Sequence, residues 1–279
     1  MSKSPNPQTA LITGAGGVLC SRMAIALAKQ GANVALMGRR REPLELVADE
    51  ITRHGGKALV VPCDVLDKAG LEASRELIEK TFGPVTILIN GAGGNNPQAT
   101  AQKEWIESPE SLAANPGGTF FDLTLDGVQN VFNLNYLGTL LPTQVFAKKM
   151  AETGRGVIIN ISSASAFRPL TKVGAYGGAK AAINSLTQWL AVHLAKTGVR
   201  VNAIVPGFFI TEQNRALLTT PDGGLTPRAQ KILTHTPMGR FGEPDDLLGA
   251  LLWLVSDASS FVTGAVIPVD GGFTAYSGV

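Results

Sequence analysis

Short apolar runs rich in β-branched residues alternate along this chain with longer stretches of helical periodicity. The runs are Ala10–Thr13, Asn33–Met37, Ala58–Pro62, Val85–Asn90, Gly156–Ile161, Val199–Val205 and Ala265–Val269. Each is short and nearly continuous in apolar character, the pattern of a strand covered on both faces. Between them lie predicted helices over Arg22–Gln30, Pro43–His54, Lys68–Thr81, Gly127–Ala151, Ala175–Lys196 and Pro244–Val255. Gly31, Gly55, Gly83 and Gly198 follow four of these, where a glycine readily closes the last turn. Strands alternating with helices imply parallel pairing through right-handed crossovers. The expected architecture is a single doubly wound α/β domain over residues 1–279, its parallel seven-stranded sheet carrying helices on both faces.

Two stretches break the rhythm. Residues 93–126 are rich in Asn, Pro, Gly and Thr and read as an insertion with only short structure of its own. Residues 211–239 carry several prolines and the turn Pro221-Asp222-Gly223-Gly224, as a mobile lid would. Neither resembles a linker between domains, and no internal repeat is visible.

Composition narrows the function classes. With 279 residues, 44% hydrophobic, the chain can bury a sizeable core, and its 32 glycines suit many strand–helix turns. A net charge of +2, with no basic run longer than Arg39–Arg41, gives no reason to expect nucleic acid or an acidic membrane surface. Cys20 and Cys63 are too few for a disulfide framework and suggest a reducing compartment. No apolar signal core or membrane-length run is present, so the expectation is a soluble cytoplasmic protein. His54, His193 and His235 are scattered, and no metal site is expected.

The candidate chemistry begins at the first strand, which runs through Thr13-Gly14-Ala15-Gly16-Gly17-Val18-Leu19-Cys20 into a helix. Glycines there let the backbone approach a pyrophosphate resting on exposed N–H groups at the helix start, as in a Rossmann-type site. The strict G-x-G-x-x-G spacing fails because Leu19 holds the sixth position. At the end of the second strand stand Arg39, Arg40 and Arg41, with no carboxylate to bind ribose hydroxyls. Guanidinium groups suit a 2′-phosphate, so NADP(H) is favoured over NAD(H); the alternative is a solvated cluster at a helix start. Asp64-Val65 and Asn90-Gly91-Ala92-Gly93 also lie at carboxyl ends of strands, where doubly wound sheets bind ligands. Asp64 either accepts from the adenine amino group or caps the next helix. Asn90 reads as a brace of the central strand within the cofactor site, while Gly91–Gly93 leave room for adenosine.

Tyr176 precedes Lys180 by one helical turn and follows Ser163 by thirteen residues. A phenol ordinarily titrates near ~10 and is a poor proton carrier at neutral pH. A neighbouring ammonium favours the phenolate and should pull that value down, while a hydroxyl holds the substrate oxygen. The three together can interconvert an alcohol and a ketone if something else carries the hydride.

Taken in order, these signals resemble the short-chain dehydrogenases/reductases. The resemblance runs from Leu11 to Gly272 and also includes Asn135-Tyr136-Leu137-Gly138, Asn160-Ile161-Ser162-Ser163, Pro206-Gly207 and Asp270-Gly271-Gly272. It implies that Ser163 orients the substrate oxygen and that Tyr176 is the general acid/base. Lys180 would hold the nicotinamide ribose and lower the Tyr176 pKa, and Asn135 would anchor a relay water. The backbone after Pro206-Gly207 would face the nicotinamide, with Thr211 on its carboxamide or a phosphate. The resemblance also implies a homotetramer built on the two long helices and the apolar C-terminal segment. In the family's T-G-x-x-x-G-x-G turn, Val18 and Cys20 replace the last two glycines, so Val18 must keep a negative φ or shift the turn.

Within that family the chain is similar to the branch of D-mannonate oxidoreductases, or D-fructuronate reductases. The likeness rests on Gly14–Cys20, Gly93–Pro97, Ala166–Lys172 and the stretch from Gly207 to Arg215. It implies reduction of the C5 ketone of a sugar acid. A carboxylate with several hydroxyls needs a cation and amides. Arg168, Lys172 or Arg215 is expected to bind the carboxylate, and Asn95, Asn96 and Asn214 to read hydroxyls. The alternatives are another polyol or sugar-acid dehydrogenase, such as a gluconate 5-dehydrogenase, or a catalytically silent nucleotide sensor.

Overall fold

A computed structural model describes residues 8–115, 117–211 and 215–278. Seven parallel strands form one sheet: β1 (Thr9–Thr13), β2 (Asn33–Gly38), β3 (Lys57–Pro62), β4 (Ile87–Asn90), β5 (Gly156–Ile161), β6 (Val199–Pro206) and β7 (Val266–Val269). Their order is β3-β2-β1-β4-β5-β6-β7. The chain moves outward from β1 to β3, then returns to place β4 on the other side of β1. That reversal opens a crevice between the carboxyl ends of β1 and β4, where such sheets bind ligands.

The helices are α1 (Val18–Lys29), α2 (Arg41–Arg53), α3 (Lys68–Phe82), α4 (Pro109–Ala114), α5 (Leu125–Phe132), α6 (Gly138–Thr153), α7 (Gly174–Leu194), α8 (Arg215–Leu218), α9 (Pro227–Thr234) and α10 (Leu248–Val255). Alternation along each strand divides the core between two faces. Ala10, Ile12, Val34, Leu36, Ile87 and Ile89 pack with Met23 of α1, Leu44 and Ile51 of α2 and Leu251 of α10. Leu11, Ala35, Met37, Leu88 and Ile158 pack on the opposite face with Leu71 of α3, Phe146 of α6 and Leu186 of α7. The doubly wound expectation holds.

Some boundaries differ for physical reasons. α1 begins at Val18, directly after Gly17, four residues before the predicted start. Val18 therefore takes a helical φ, and Lys172 is the one non-glycine with positive φ among the described residues. The predicted single helix over 127–151 is instead α5, a π-helical turn over Asn133–Leu137 and α6. Pro142 lies inside α6 and has no N–H to offer the carbonyl one turn back, so the ladder is weakened beside that turn. Residues 93–126 hold a 3₁₀ turn at Pro97–Ala99, α4 capped reciprocally by Ser108 and Ser111, and a second 3₁₀ turn at Phe120–Asp122. The 211–239 region contributes α8 and α9, and Asn214 lies outside the described residues.

No described helix is long and apolar enough to cross a membrane.

Candidate active site

The two central strands are tied together where the crevice opens. Thr13, fully buried at the end of β1, accepts at Oγ1 from the N–H groups of Gly91 (3.0 Å) and Ala92 (3.1 Å). Gly14 turns away at φ +68°, and a Cβ there would stand 2.9 Å from both Ala92 N and Gly91 O. Only glycine fits that close approach without strain. Gly16 is exposed and abuts Pro43 at the start of α2, so its smallness serves the α1–α2 junction. Gly17 caps the twelve-residue α1 with no side chain bonded to the cap and no acidic residue in the first turn. The half-buried Val18 and Leu19 supply the next N–H groups. This uncapped positive end beside a glycine turn fits the pyrophosphate of a dinucleotide.

The remaining cofactor positions follow the strand ends. Arg39 and Arg40 are exposed after β2, and neither joins an ion pair among the described residues. Asp64 is not the cap of α3; Asp67 is, accepting from Gly70 N at 3.1 Å. Asp64 instead accepts from Leu66 N at 3.0 Å in a turn, leaving its other oxygen uncommitted by that bond. Val65 is buried beside Gly138. Asn90 is 1% exposed, and its amide donates to Thr143 and to Asn160, both at 2.9 Å. Its side chain therefore braces β4 against β5 and α6. Gly207, after buried Pro206, lies so close to Asp270 that a Cβ would sit 2.6 Å from its Cα. Thr211 is half-buried beyond the end of β6.

The candidate proton-handling groups lie together at the start of α7. Ser163, half-buried after β5, hydrogen bonds to Tyr176, and Lys180 lies one turn further along the helix. Lys180 is 4% exposed; its Nζ donates to Ile161 O at 2.8 Å and stands 5.7 Å from the Tyr176 ring centroid. Burial lowers its pKa to about 8, against a smaller upward pull from Cys20. Burial also pushes the Tyr176 phenol up, while the Ser163 hydrogen bond pulls it down. The expected net depression of Tyr176 is thus reversed: desolvation of the phenol outweighs the hydrogen bond from Ser163.

Asn135 is fully buried in the π-helical turn, clasping Gly94 by donating to its carbonyl (2.7 Å) and accepting from its N–H (3.2 Å). Gly93 lies between Asn135 and Lys180. A Cβ there would be 2.7 Å from Asn135 Oδ1 and 3.1 Å from Lys180 Nζ.

The candidate substrate residues are partly engaged by the protein itself. Asn95 donates to Thr100 Oγ1 (2.8 Å), and Asn96 caps the turn after it by accepting from Gln98 N (2.9 Å). Arg168 is exposed and donates through Nε to Thr274 O at 3.1 Å. Lys172 holds φ +75°, and its carbonyl accepts from Ala101 N of the insertion at 2.8 Å. Arg215 is exposed at the start of α8.

Several contributors went unseen in the sequence. They include the Thr13 clasp, Ser165 beside Ser163, and Cys20, whose thiol fills the space a side chain at Gly91 would need. Glu104 of the insertion meets Lys231 (2.6 Å) and Arg228 (3.6 Å) of α9, and Lys231 lies over the Trp105 ring at 4.8 Å. The segment at Glu104–Trp105 is therefore fastened to α9. The run Glu104-Trp105 offers no sequence signal that would pair it with residues over a hundred positions away.

Comparison with known proteins agrees with this geometry. A family model described as enoyl-(acyl carrier protein) reductase matches residues 17–274. An uncharacterized oxidoreductase of Haemophilus influenzae is 56% identical over 270 residues, covering 96% of this chain and 94% of that protein. A crystal structure from Haemophilus influenza with bound NAD, provisionally designated a D-mannonate oxidoreductase, superposes with a TM-score of 0.92 at 54% identity. It covers 99% of this chain and 98% of its own. A gluconate 5-dehydrogenase from Burkholderia cenocepacia, in complex with NADP and tartrate, gives 0.82 at 30% identity over 97% and 96%. This chain belongs to the short-chain dehydrogenase/reductase family, and it is an NAD(P)-dependent oxidoreductase that interconverts alcohol and keto groups on a small molecule.

Proposed function

We propose that this enzyme reduces the ketone of a keto sugar acid, D-fructuronate to D-mannonate, and prefers NADPH to NADH. The observation that carries the substrate is the likeness, across nearly the whole chain, to the structure designated a D-mannonate oxidoreductase. The cations Arg168, Lys172 and Arg215 suit a carboxylate, and the polar insertion suits hydroxyls rather than an acyl chain. The similar structures hold NAD in one case and NADP in another, so the preference rests on Arg39 and Arg40. An exposed arginine pair that joins no ion pair among the described residues is chemistry suited to a 2′-phosphate.

A bound nicotinamide supplies the hydride, and the chain's own residues manage the oxygen and the proton. The start of α1 and the Gly14 turn hold the pyrophosphate. Ser163 donates to the substrate carbonyl oxygen, and the Tyr176 phenol gives it a proton as the carbon–oxygen double bond becomes an alcohol. Lys180 keeps a positive charge behind the phenol as it becomes phenolate, and Asn135 fixes the route by which a proton returns. Oxidation of the alcohol runs the same transfers backwards.

The test is loss of NADPH and NADH absorbance on addition of D-fructuronate, with 5-keto-D-gluconate alongside, and then with Arg168→Ala and Arg215→Ala. We expect fructuronate and NADPH to be the better pair, and at least one variant to raise KM by about tenfold, the loss of one charge-assisted contact. Faster turnover of ketogluconate would replace the substrate with the gluconate 5-dehydrogenase reading. Unchanged KM in both variants would remove the carboxylate clamp.

A further inference from the structure

We infer that Ser165 is a positioning residue for the reaction: it fills both lone pairs of Ser163 Oγ and leaves the Ser163 proton aimed at the substrate oxygen. The inference rests on Ser163 as the group that orients that oxygen.

The geometry is local. Ser163 stands at φ −162° and ψ 152°, capping the 3₁₀ turn Ala164–Ala166. Its Oγ receives the Ser165 N–H at 3.3 Å and the Ser165 hydroxyl at 3.0 Å. Ser165 is only 4% exposed. Its carbonyl lies against Gly177, the residue after Tyr176, where an added Cβ would come within 3.2 Å. Ser165 is thereby wedged between Ser163 and the helix carrying Tyr176, and Ser163 Oγ is the acceptor its hydroxyl finds among the described residues.

A serine hydroxyl has one proton and two lone pairs. A free rotor can spend its proton on any neighbouring oxygen, and a ketone in the site would then meet a lone pair as often as a donor. With two donors arriving from Ser165, the only group Ser163 has left is its proton. That proton is what a carbonyl oxygen gaining negative charge requires. Successive hydroxyl donors also polarise one another, so Ser165 strengthens the bond that Ser163 makes.

Without substrate that same proton is available to the Tyr176 oxygen, where its hydrogen bond favours the phenolate, and a bound ketone competes for it. The other titratable group facing the phenol is Lys180, with Cys20 behind it, and Ala99, Val128, Val131 and Ala179 complete the packing without charge. Removing the Ser165 hydroxyl should therefore raise the Tyr176 titration without touching either neighbour.

The experiment follows tyrosinate absorbance with pH in the full-length protein, as wild type, Ser165→Ala, Ser165→Thr and Ser163→Ala, with Tyr176→Phe subtracted to isolate one phenol. Steady-state reduction of D-fructuronate by NADPH is measured alongside. For Ser165→Ala we expect the midpoint to rise by roughly half a unit and kcat to fall about tenfold, with KM within about twofold. Ser165→Thr, which restores the hydroxyl, should return both towards wild type. A merely structural role would lower the active fraction and leave the midpoint in place. An unmoved midpoint in Ser165→Ala, with a raised one in Ser163→Ala, overturns the inference and leaves the role of Ser163 standing. No effect in Ser163→Ala overturns both. A shifted midpoint in an enzyme that ignores fructuronate supports the positioning role and rejects the substrate.

Discussion

Replacing Lys180 with methionine should stabilise the protein at neutral pH while destroying its activity. The lysine is 4% exposed, and burial takes its pKa from 10.5 to about 8. Between those values the unfolded chain holds the proton more tightly than the folded one, so folding becomes more favourable as pH rises through that window. Below about pH 8 the charge stays on in both states, and the cost of burying it is paid in full. Each pKa unit is worth about 1.4 kcal/mol, so the 2.5-unit gap puts roughly 3 kcal/mol at stake. Methionine fills a similar volume and carries no charge, although it gives up the bond to Ile161 O, worth about 1–2 kcal/mol. The pH dependence is the sharper signature, because methionine has no group to titrate there. Urea unfolding of both proteins, at intervals from about pH 7 to pH 10, should show wild type gaining roughly 2–3 kcal/mol relative to Lys180→Met. The ionisations of Cys20 and Tyr176 occur in both proteins and largely cancel in that difference. A constant difference across the range would mean that Lys180 titrates near its ordinary value when folded, and the reasoning would fail.

Tyr176→Phe should reduce turnover by at least about a thousandfold while NADP(H) affinity, read by fluorescence titration, changes less than about threefold; retained activity would contradict the proton-transfer role. We also propose a homotetramer, since Trp189 and Val192 on α7 and Phe261 near the C-terminus are 58%, 80% and 102% exposed in the single chain. Light scattering on the wild type should give four subunits, and Val192→Glu should lower that number; a monomeric wild type would refute it.

The fold was legible because both faces of the sheet are covered, so the strands appear as apolar runs with glycine stops between them. The candidate site side chains were legible for a different reason: Ser163, Tyr176, Lys180 and Asn135 stand in short motifs whose spacing is itself a signal. What the sequence hid falls into two kinds. Distortions such as the turn at 133–137 keep helical periodicity on both sides, and only Pro142 hints that the ladder is disturbed. Contacts between distant segments, such as Glu104 with Lys231 or Thr13 with Gly91, leave no periodic trace at all. The sign of the Tyr176 shift was missed because spacing reveals a neighbouring charge but not how deeply both groups are buried.

The π-helical turn at Asn133–Leu137 has a further meaning for how this scaffold can change. Such a turn carries one residue more than an α-helix needs, and one residue corresponds to about 100° of rotation. Val128 and Val131 on α5 pack against Ala179 and Tyr176, whereas Val145, Phe146 and Met150 on α6 pack against the sheet. Deleting a single residue from the turn would straighten the helix and swing one of these faces away from its partner. Asn135 could then keep its grip on Gly94 only if α5 lost its hold on the helix of Tyr176. The extra residue works as a phase shifter: it lets one continuous rod serve two surfaces that no regular helix could meet together.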